Sequence, residues 1–198
     1  MDSSEDYKPT GFLQDKSQRI ILLDLLYSAI IGVMGGIISS LIPFSLLIKV
    51  WYPLTGGTQL VSGHHVIWAA ITYGLTKKKS TIMLTMLTKG IIEFLFGDVW
   101  GLLIILVNLM EGLFLILGFF LVEKLGEGET KLGWGIAGGF GNFFQAPFFW
   151  IINQRWYLHW VLWVLAFIFA FISGILITGL LGRATKMYLI KAGVPTTF

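Results

Sequence analysis

Residues 77–112 read KKKSTIMLTMLTKGIIEFLFGDVWGLLIILVNLMEG, and how this stretch is taken decides the fold. A basic triplet, Lys77-Lys78-Lys79, opens it. Two apolar runs follow, joined by the tight Gly97-Asp98-Val99-Trp100-Gly101 connection, and each is long enough to cross a bilayer as a helix. Inside this lipid-soluble sequence stand Lys89, Glu93, Asn108 and Glu111. An ionisable side chain at the centre of a membrane helix costs roughly 2.5–3.5 kcal/mol even on lenient scales, so each must face a partner or a wet cavity. The hairpin is therefore where a site is expected.

The rest of the chain is written in the same idiom. With 56% hydrophobic and 13% charged residues among 198, it lies outside the soluble range of about 45–50% apolar and about 25% charged, and its mean hydropathy is +0.80. The composition predicts an integral membrane protein of all-α class, one compact bundle of six transmembrane helices at about 20–48, 60–76, 80–97, 100–122, 132–153 and 157–182. Residues 1–19 read as a cytoplasmic tail and not a cleaved signal, 20–185 as the transmembrane domain, and 186–198 as a second cytoplasmic tail. With the amino terminus inside, the inner segments hold Lys8, Lys16, Arg19, Lys77, Lys78, Lys79, Lys124, Lys131, Arg183, Lys186 and Lys191, while the outer loops hold only Lys49 and Arg155. That asymmetry predicts both termini in the cytoplasm of a multi-pass protein of the cell membrane. The net charge of +3 is thus topology and lipid-head anchoring, and no nucleic-acid partner is expected. Cys is absent, which excludes disulfides, thiolate metal sites and a Cys nucleophile.

Each span offers its own candidates. The first carries Ser28, Gly32, Gly36 and Ser40 at four-residue spacing, a small-residue face suited either to packing within the protein or to docking a separate membrane subunit. Trp51-Tyr52-Pro53 and Thr55-Gly56-Gly57-Thr58-Gln59 form an outer loop able to cap a cavity. His64 and His65 invite a metal reading, but adjacent helical residues point about 100° apart and no Cys or carboxylate neighbours them in sequence, which leaves capping or cavity lining as the alternative. Lys89 and Glu93, four apart, can form an internal ion pair. On a rise of about 1.5 Å per residue Glu93 lies one turn from the outer end of its helix, with Asn108 roughly 12 Å and Glu111 roughly 16 Å below it on the next. Asn142 and Gln145 face one way near mid-depth of the glycine-rich fifth span, where Pro147 frees a backbone carbonyl.

By depth, Glu93, Asn108, Glu111, Asn142 and Gln145 can converge between the outer face and the midplane, with Trp68, Trp100 or Trp150 at the rim. Such a cavity suits a small, flat, polar or cationic solute: acids neutralise charge, amides match ring nitrogens, and indoles stack or make cation–π contacts. Trp150, Trp156, Trp160 and Trp163 otherwise read as an interfacial belt. There is no nucleotide-binding loop and no paired nucleophile and base, so no enzyme and no cofactor is expected.

The run GLTKKKSTIMLTMLTKGIIEFLFGDVWGLLIILVNLMEG, with its basic turn after Gly74, the acid of span three followed by Gly97 and Trp100-Gly101, and the Glu111-Gly112 pair, resembles the substrate-binding S components of energy-coupling-factor vitamin transporters, specifically the subfamily associated with thiamine and its hydroxymethylpyrimidine precursor. The resemblance implies a six-helix bundle that captures substrate outside and works with a transmembrane coupling subunit and two ATP-binding subunits. It implies Glu93, Trp100 and Glu111 as ligand contacts, and a first-helix docking face. In the family that face often reads Ala-x-x-x-Ala; here Ala29-x-x-x-Val33 and the Ser28, Gly32, Gly36 series stand in its place. Three other classes stay open: a Co or Ni capture subunit using His64 and His65, an intramembrane enzyme with Glu93 or Glu111 as base acting on a lipid or isoprenoid, and a structural subunit without a ligand.

Overall fold

The computed structural model describes residues 16–42, 59–152 and 159–198, and for helical residues 16–20, 149–150 and 152 the backbone alone. The amino-terminal tail before Lys16, the loop of Trp51, Tyr52, Pro53 and Thr55–Thr58, and Arg155 and Trp156 lie outside the described residues, as does the side chain of Trp150. Every regular element among the described residues is helical: α1 (Lys16–Leu41), α2 (Gly63–Thr76), α3 (Lys79–Leu95), α4 (Leu103–Lys124), α5 (Lys131–Phe143), α6 (Gln145–Ile152) and α7 (Trp160–Lys191), whose middle, Gly174–Leu181, winds as a π-helix.

Short connections make sequence neighbours antiparallel. Lys77 and Lys78 turn α2 into α3, Lys77 in the left-handed region at φ 56° with its N–H bonded to Tyr73 O at 2.7 Å. Between α3 and α4, Gly97 and Gly101 take φ 80° and 54°, and Asp98 Oδ1 accepts the Trp100 N–H at 2.8 Å. Thr130 Oγ1 caps α5 by accepting the Gly133 N–H at 2.9 Å. The fifth expected span breaks at Phe144. Pro147 is the cause: its ring would clash with the carbonyl four residues back, at Phe143, so α5 ends there and Pro147 falls in the first turn of α6, where a missing N–H costs nothing.

α2 is the central rod. Apolar or small on nearly every side, it is buried along most of its length and touches α1, α3, α4, α5 and α7. Around it Val66, Ala69, Tyr73, Met86, Leu115, Phe119 and Trp134 make the main core. Ser173 Oγ accepts the Gly63 N–H at 2.9 Å and Thr178 Oγ1 donates to Gly63 O at 2.8 Å, tying α2 to the π segment of α7. The outer surface is apolar: Ile21, Leu25, Ile30, Met34 and Ile38 line the free side of α1, and Leu106, Leu113, Leu117 and Phe120 that of α4. Among the described residues, Ile21–Leu41, Leu103–Lys124 and Trp160–Lys191 are long and apolar enough to cross a membrane. Hydrocarbon is the solvent such faces match, and the chain reads as a membrane protein.

The two ends of the bundle differ. At one, Lys78 pairs with Asp24, Lys79 with Glu123 at 2.7 Å and Lys186 with Glu129 at 2.9 Å, while the closing residues bind back through Tyr27 Oη to Pro195 O at 2.6 Å and Thr197 N to Leu75 O at 3.2 Å. The opposite end presents Leu95, Phe96, Val99 and Leu102 at the α3–α4 turn. The last helix runs nine residues past the span expected to end at 182, since Arg183 and Lys186 reach Glu129 from a continuing helix.

Candidate functional site

The polar groups of the α3–α4 hairpin are brought together by one close approach. Gly90 lies against α4, where a Cβ would come 2.9 Å from Ile105 Cα and 3.3 Å from Asn108 Cβ, so the two helices meet at the level of Lys89, Glu93 and Asn108. Lys89 is wholly buried. Its ammonium donates to Glu93 Oε1 at 2.6 Å and Asn108 Oδ1 at 2.8 Å, and lies 3.3 Å from His65 Nδ1 on α2. Asn108 Nδ2 donates to Glu93 Oε2 at 2.6 Å and to Ile104 O at 2.8 Å. All three ammonium protons and both Glu93 oxygens thereby have partners. His65 Nδ1 stands 3.7 Å from Glu93 Oε1, beyond hydrogen-bond reach.

One turn along α4 the chemistry changes. Glu111 lines a small cleft with Val107, Met110 and Phe114 of its own helix, Phe144 at the α5–α6 break, and Gln145 and Phe148 of α6. The cleft's closed volume is about 10 Å³, room for one water molecule, and the roughly 190 Å³ of unfilled space around it includes the open mouth. Glu111 Oε2 and Gln145 Oε1 are buried and have no hydrogen-bond partner. Phe114 and Phe144 stack beside them with centroids 4.3 Å apart and planes 12° from parallel. Two oxygens without hydrogen-bond partners and a set of aromatic faces thus border one cavity.

The five residues expected to converge therefore divide. Glu93 and Asn108 form the network with Lys89, and Glu111 and Gln145 form the cleft. Asn142 joins neither: its amide donates to Ser62 Oγ at 2.7 Å and Ala170 O at 2.6 Å, bracing α5 against α7. Trp68 packs between α1 and α2 over Gly35, and Trp100 sits half-buried in the α3–α4 turn, so neither borders the cleft. Among the described residues the rings that do are Phe114, Phe144 and Phe148, which the sequence reading passed over. Their signal was spacing: Phe114 follows Glu111 by three and Phe148 follows Gln145 by three, each on its neighbour's helical face.

On α1, Ser28, Gly32 and Gly36 are buried, and a Cβ on Gly32 would come 2.8 Å from Thr85 O and one on Gly36 2.6 Å from Ile92 Cβ. These glycines form the α1–α3 seam inside the protein. Ala29 remains exposed beside Ile30. Of the histidines, His64 Nδ1 donates to Val61 O at 2.8 Å and His65 joins the Lys89 network. Among the described residues no group of three or more His, Cys, Asp or Glu gathers where a metal ion could be held.

Residues 23–125 match the family described as "ABC-type cobalt transport system, permease component". None of the curated proteins matches the chain. Among solved structures, one described as an S-component of an ECF transporter superposes with a TM-score of 0.75 over 87% of this chain and 87% of that one, at 18% identity. At that identity the likeness is one of fold.

Proposed function

The chain belongs to the family of permease components of ABC-type cobalt transport systems, and on that premise we propose that it is the substrate-capture subunit of an ECF-type importer, taking up a small, flat, donor-rich organic molecule. The observation that carries this reading is the pair of buried acceptors, Glu111 Oε2 and Gln145 Oε1, on one aromatic cleft. Leaving a buried polar group unpaired costs about 1–3 kcal/mol, more if charged, and a guest bearing N–H donors removes both penalties on entry. Phe114, Phe144 and Phe148 supply ring faces for a flat guest. Typical cavities for drug-sized ligands run about 300–1,000 Å³. The cleft as it stands has a closed volume of about 10 Å³, so a guest of either size enters only as α4 and α6 part.

In this reading the subunit binds and its partners do the work: a transmembrane coupling subunit and two ATP-binding subunits drive uptake across the cell membrane, with the charged end of the bundle in the cytoplasm. The exposed side of α1 around Ala29 and Ile30 is left for the coupling subunit, because the glycine face is taken by α3. Mass spectrometry of small molecules that co-purify with the detergent-solubilised protein identifies the guest, and titration with hydroxymethylpyrimidine and thiamine checks it. Binding is expected, at least tenfold weaker in Glu111→Gln; failure of both compounds to bind, or equal affinity in the variant, overturns the reading.

The family description favours a second reading, capture of cobalt or nickel ions by His64, His65 and Glu93. Against it, the Lys89 ammonium occupies the space between His65 and Glu93, so a divalent ion would have to displace it. Calorimetric titration with Co²⁺ and Ni²⁺ separates the two: metal binding that is lost in His65→Ala supports capture of the ion, and no heat from either metal leaves the organic guest.

A further inference from the structure

At the charged end of the bundle, far from the cleft, three cations face one carboxylate. Lys77 turns in from the α2–α3 connection, and Arg183 and Lys186 come from α7. Lys77 and Lys186 both pair with Glu129, and Arg183 Nε donates to the Glu129 carbonyl at 3.1 Å. The other acids at this end are committed elsewhere: Asp24 to Lys78 and Thr197, Glu123 to Lys79 and Tyr73, and Glu127 to the Thr130 hydroxyl. The positive charge around Glu129 is therefore in excess.

The site also has a floor. Lys77 Nζ and Lys186 Nζ lie 5.7 and 5.5 Å from the ring centroid of Trp134, which is fully buried and whose indole N–H has no acceptor. Lys186 is buried to all but 3% of its surface, whereas the Glu129 side chain is 61% exposed. Two confined ammonium groups are thus bridged by one carboxylate on a solvent-facing loop, a side chain free to swing into solvent when another anion takes its place between them. Lys77 holds a backbone conformation that non-glycine residues rarely adopt, φ 56°. Burial, and after it the charge of Lys186, push Lys77 down to about 8.

We propose that Lys77, Lys186 and Arg183 form a binding site for a phosphate-bearing anion at the charged end of the bundle, with the Glu129 carboxylate as its tethered resident. A phosphate offers three strong acceptor oxygens and up to two negative charges where Glu129 offers two oxygens and one charge, so it matches three cations better. The anion comes either from a lipid headgroup, since lysines here lie beside apolar helix surface, or from free phosphate in solution.

The test is a pair of titrations of the purified chain in detergent at constant ionic strength, one with inorganic phosphate and one with dihexanoyl phosphatidic acid, read as a rise in melting temperature. Glu129→Gln removes the resident and is expected to bind at least tenfold tighter than the wild type, while Lys77→Gln and Lys186→Gln lose the shift. A response to both ligands assigns free phosphate; a response to the lipid alone assigns the headgroup. Affinity in Glu129→Gln equal to or weaker than in the wild type overturns the site, as does a shift that survives both lysine substitutions. Should the lysine variants fail to fold, Glu129→Gln alone still decides, because a purely structural ion pair predicts no gain in affinity from its removal.

Discussion

On one side of α4, Asn108 enters a group in which each charge and lone pair is met from within the protein: Lys89, Glu93, His65 and Asn108 close on one another at 2.6 to 3.3 Å. One turn further, Glu111 and Gln145 sit equally deep with acceptor oxygens that meet nothing. The same residue types at similar burial thus serve opposite ends. A closed network specifies how α2, α3 and α4 sit against each other, whereas an open pair of acceptors costs stability that a guest can return. Burial of a carboxylate marks a place of interest, and its partners decide which kind of place it is.

The comparison breaks most visibly at Lys89. Lys89→Met removes the cation and leaves the Glu93 carboxylate buried with only amide partners, at an expected cost of about 3–5 kcal/mol. Thermal unfolding in detergent should register a large drop in melting temperature. Lys89→Met combined with Glu93→Gln should recover much of it, because replacing both members of a buried pair is often nearly neutral. If Lys89→Met alone is as stable as the wild type, the network is not holding the helices together.

Glu111→Gln is expected to act in the other direction on stability. It replaces an unpaired buried carboxyl group with an amide of nearly the same shape, so the unliganded protein should melt no lower than the wild type, while affinity for the organic guest falls at least tenfold, about 1.4 kcal/mol. Equilibrium titration and thermal unfolding of one preparation measure both. A variant that loses stability and keeps its affinity would move Glu111 from the cleft to the class of Lys89.

Much of this was legible in the sequence, and the limits have physical causes. Helix positions followed from apolar runs and the loops from glycine and charge; the pairing of Lys89 with Glu93 followed from a spacing of four. Depth along a helix could be counted at about 1.5 Å per residue, which put Glu93, Asn108 and Glu111 between the outer face and the midplane. Height says nothing of direction. Asn108 and Glu111, three apart, point about 60° from each other on the helix, enough for the first to meet α3 where Gly90 admits it and the second to meet α6. The α1 glycines show the same limit: four-residue spacing announces a close contact, and only the packing of α3 against α1 shows who makes it. His65 was weighed as a metal ligand because its partner, Lys89, lies 24 residues away.

The finest distinction rests on Gln145. Its Oε1 lies in the cleft without a donor, so it should behave as a weaker copy of Glu111. A neutral hydrogen bond contributes about 0.5–1.5 kcal/mol, so Gln145→Leu should weaken guest binding roughly two- to tenfold, measured by the same titration, and leave or raise the melting temperature. Asn142, three residues earlier, supplies the control. Its amide nitrogen is spent on Ser62 and Ala170 and its oxygen lies away from the cleft, so Asn142→Leu should destabilise the fold with little change in affinity among molecules that remain folded. Two amides on one stretch of chain then differ as the two halves of α4 do, the braced one failing by unfolding and the unbraced one by losing its guest.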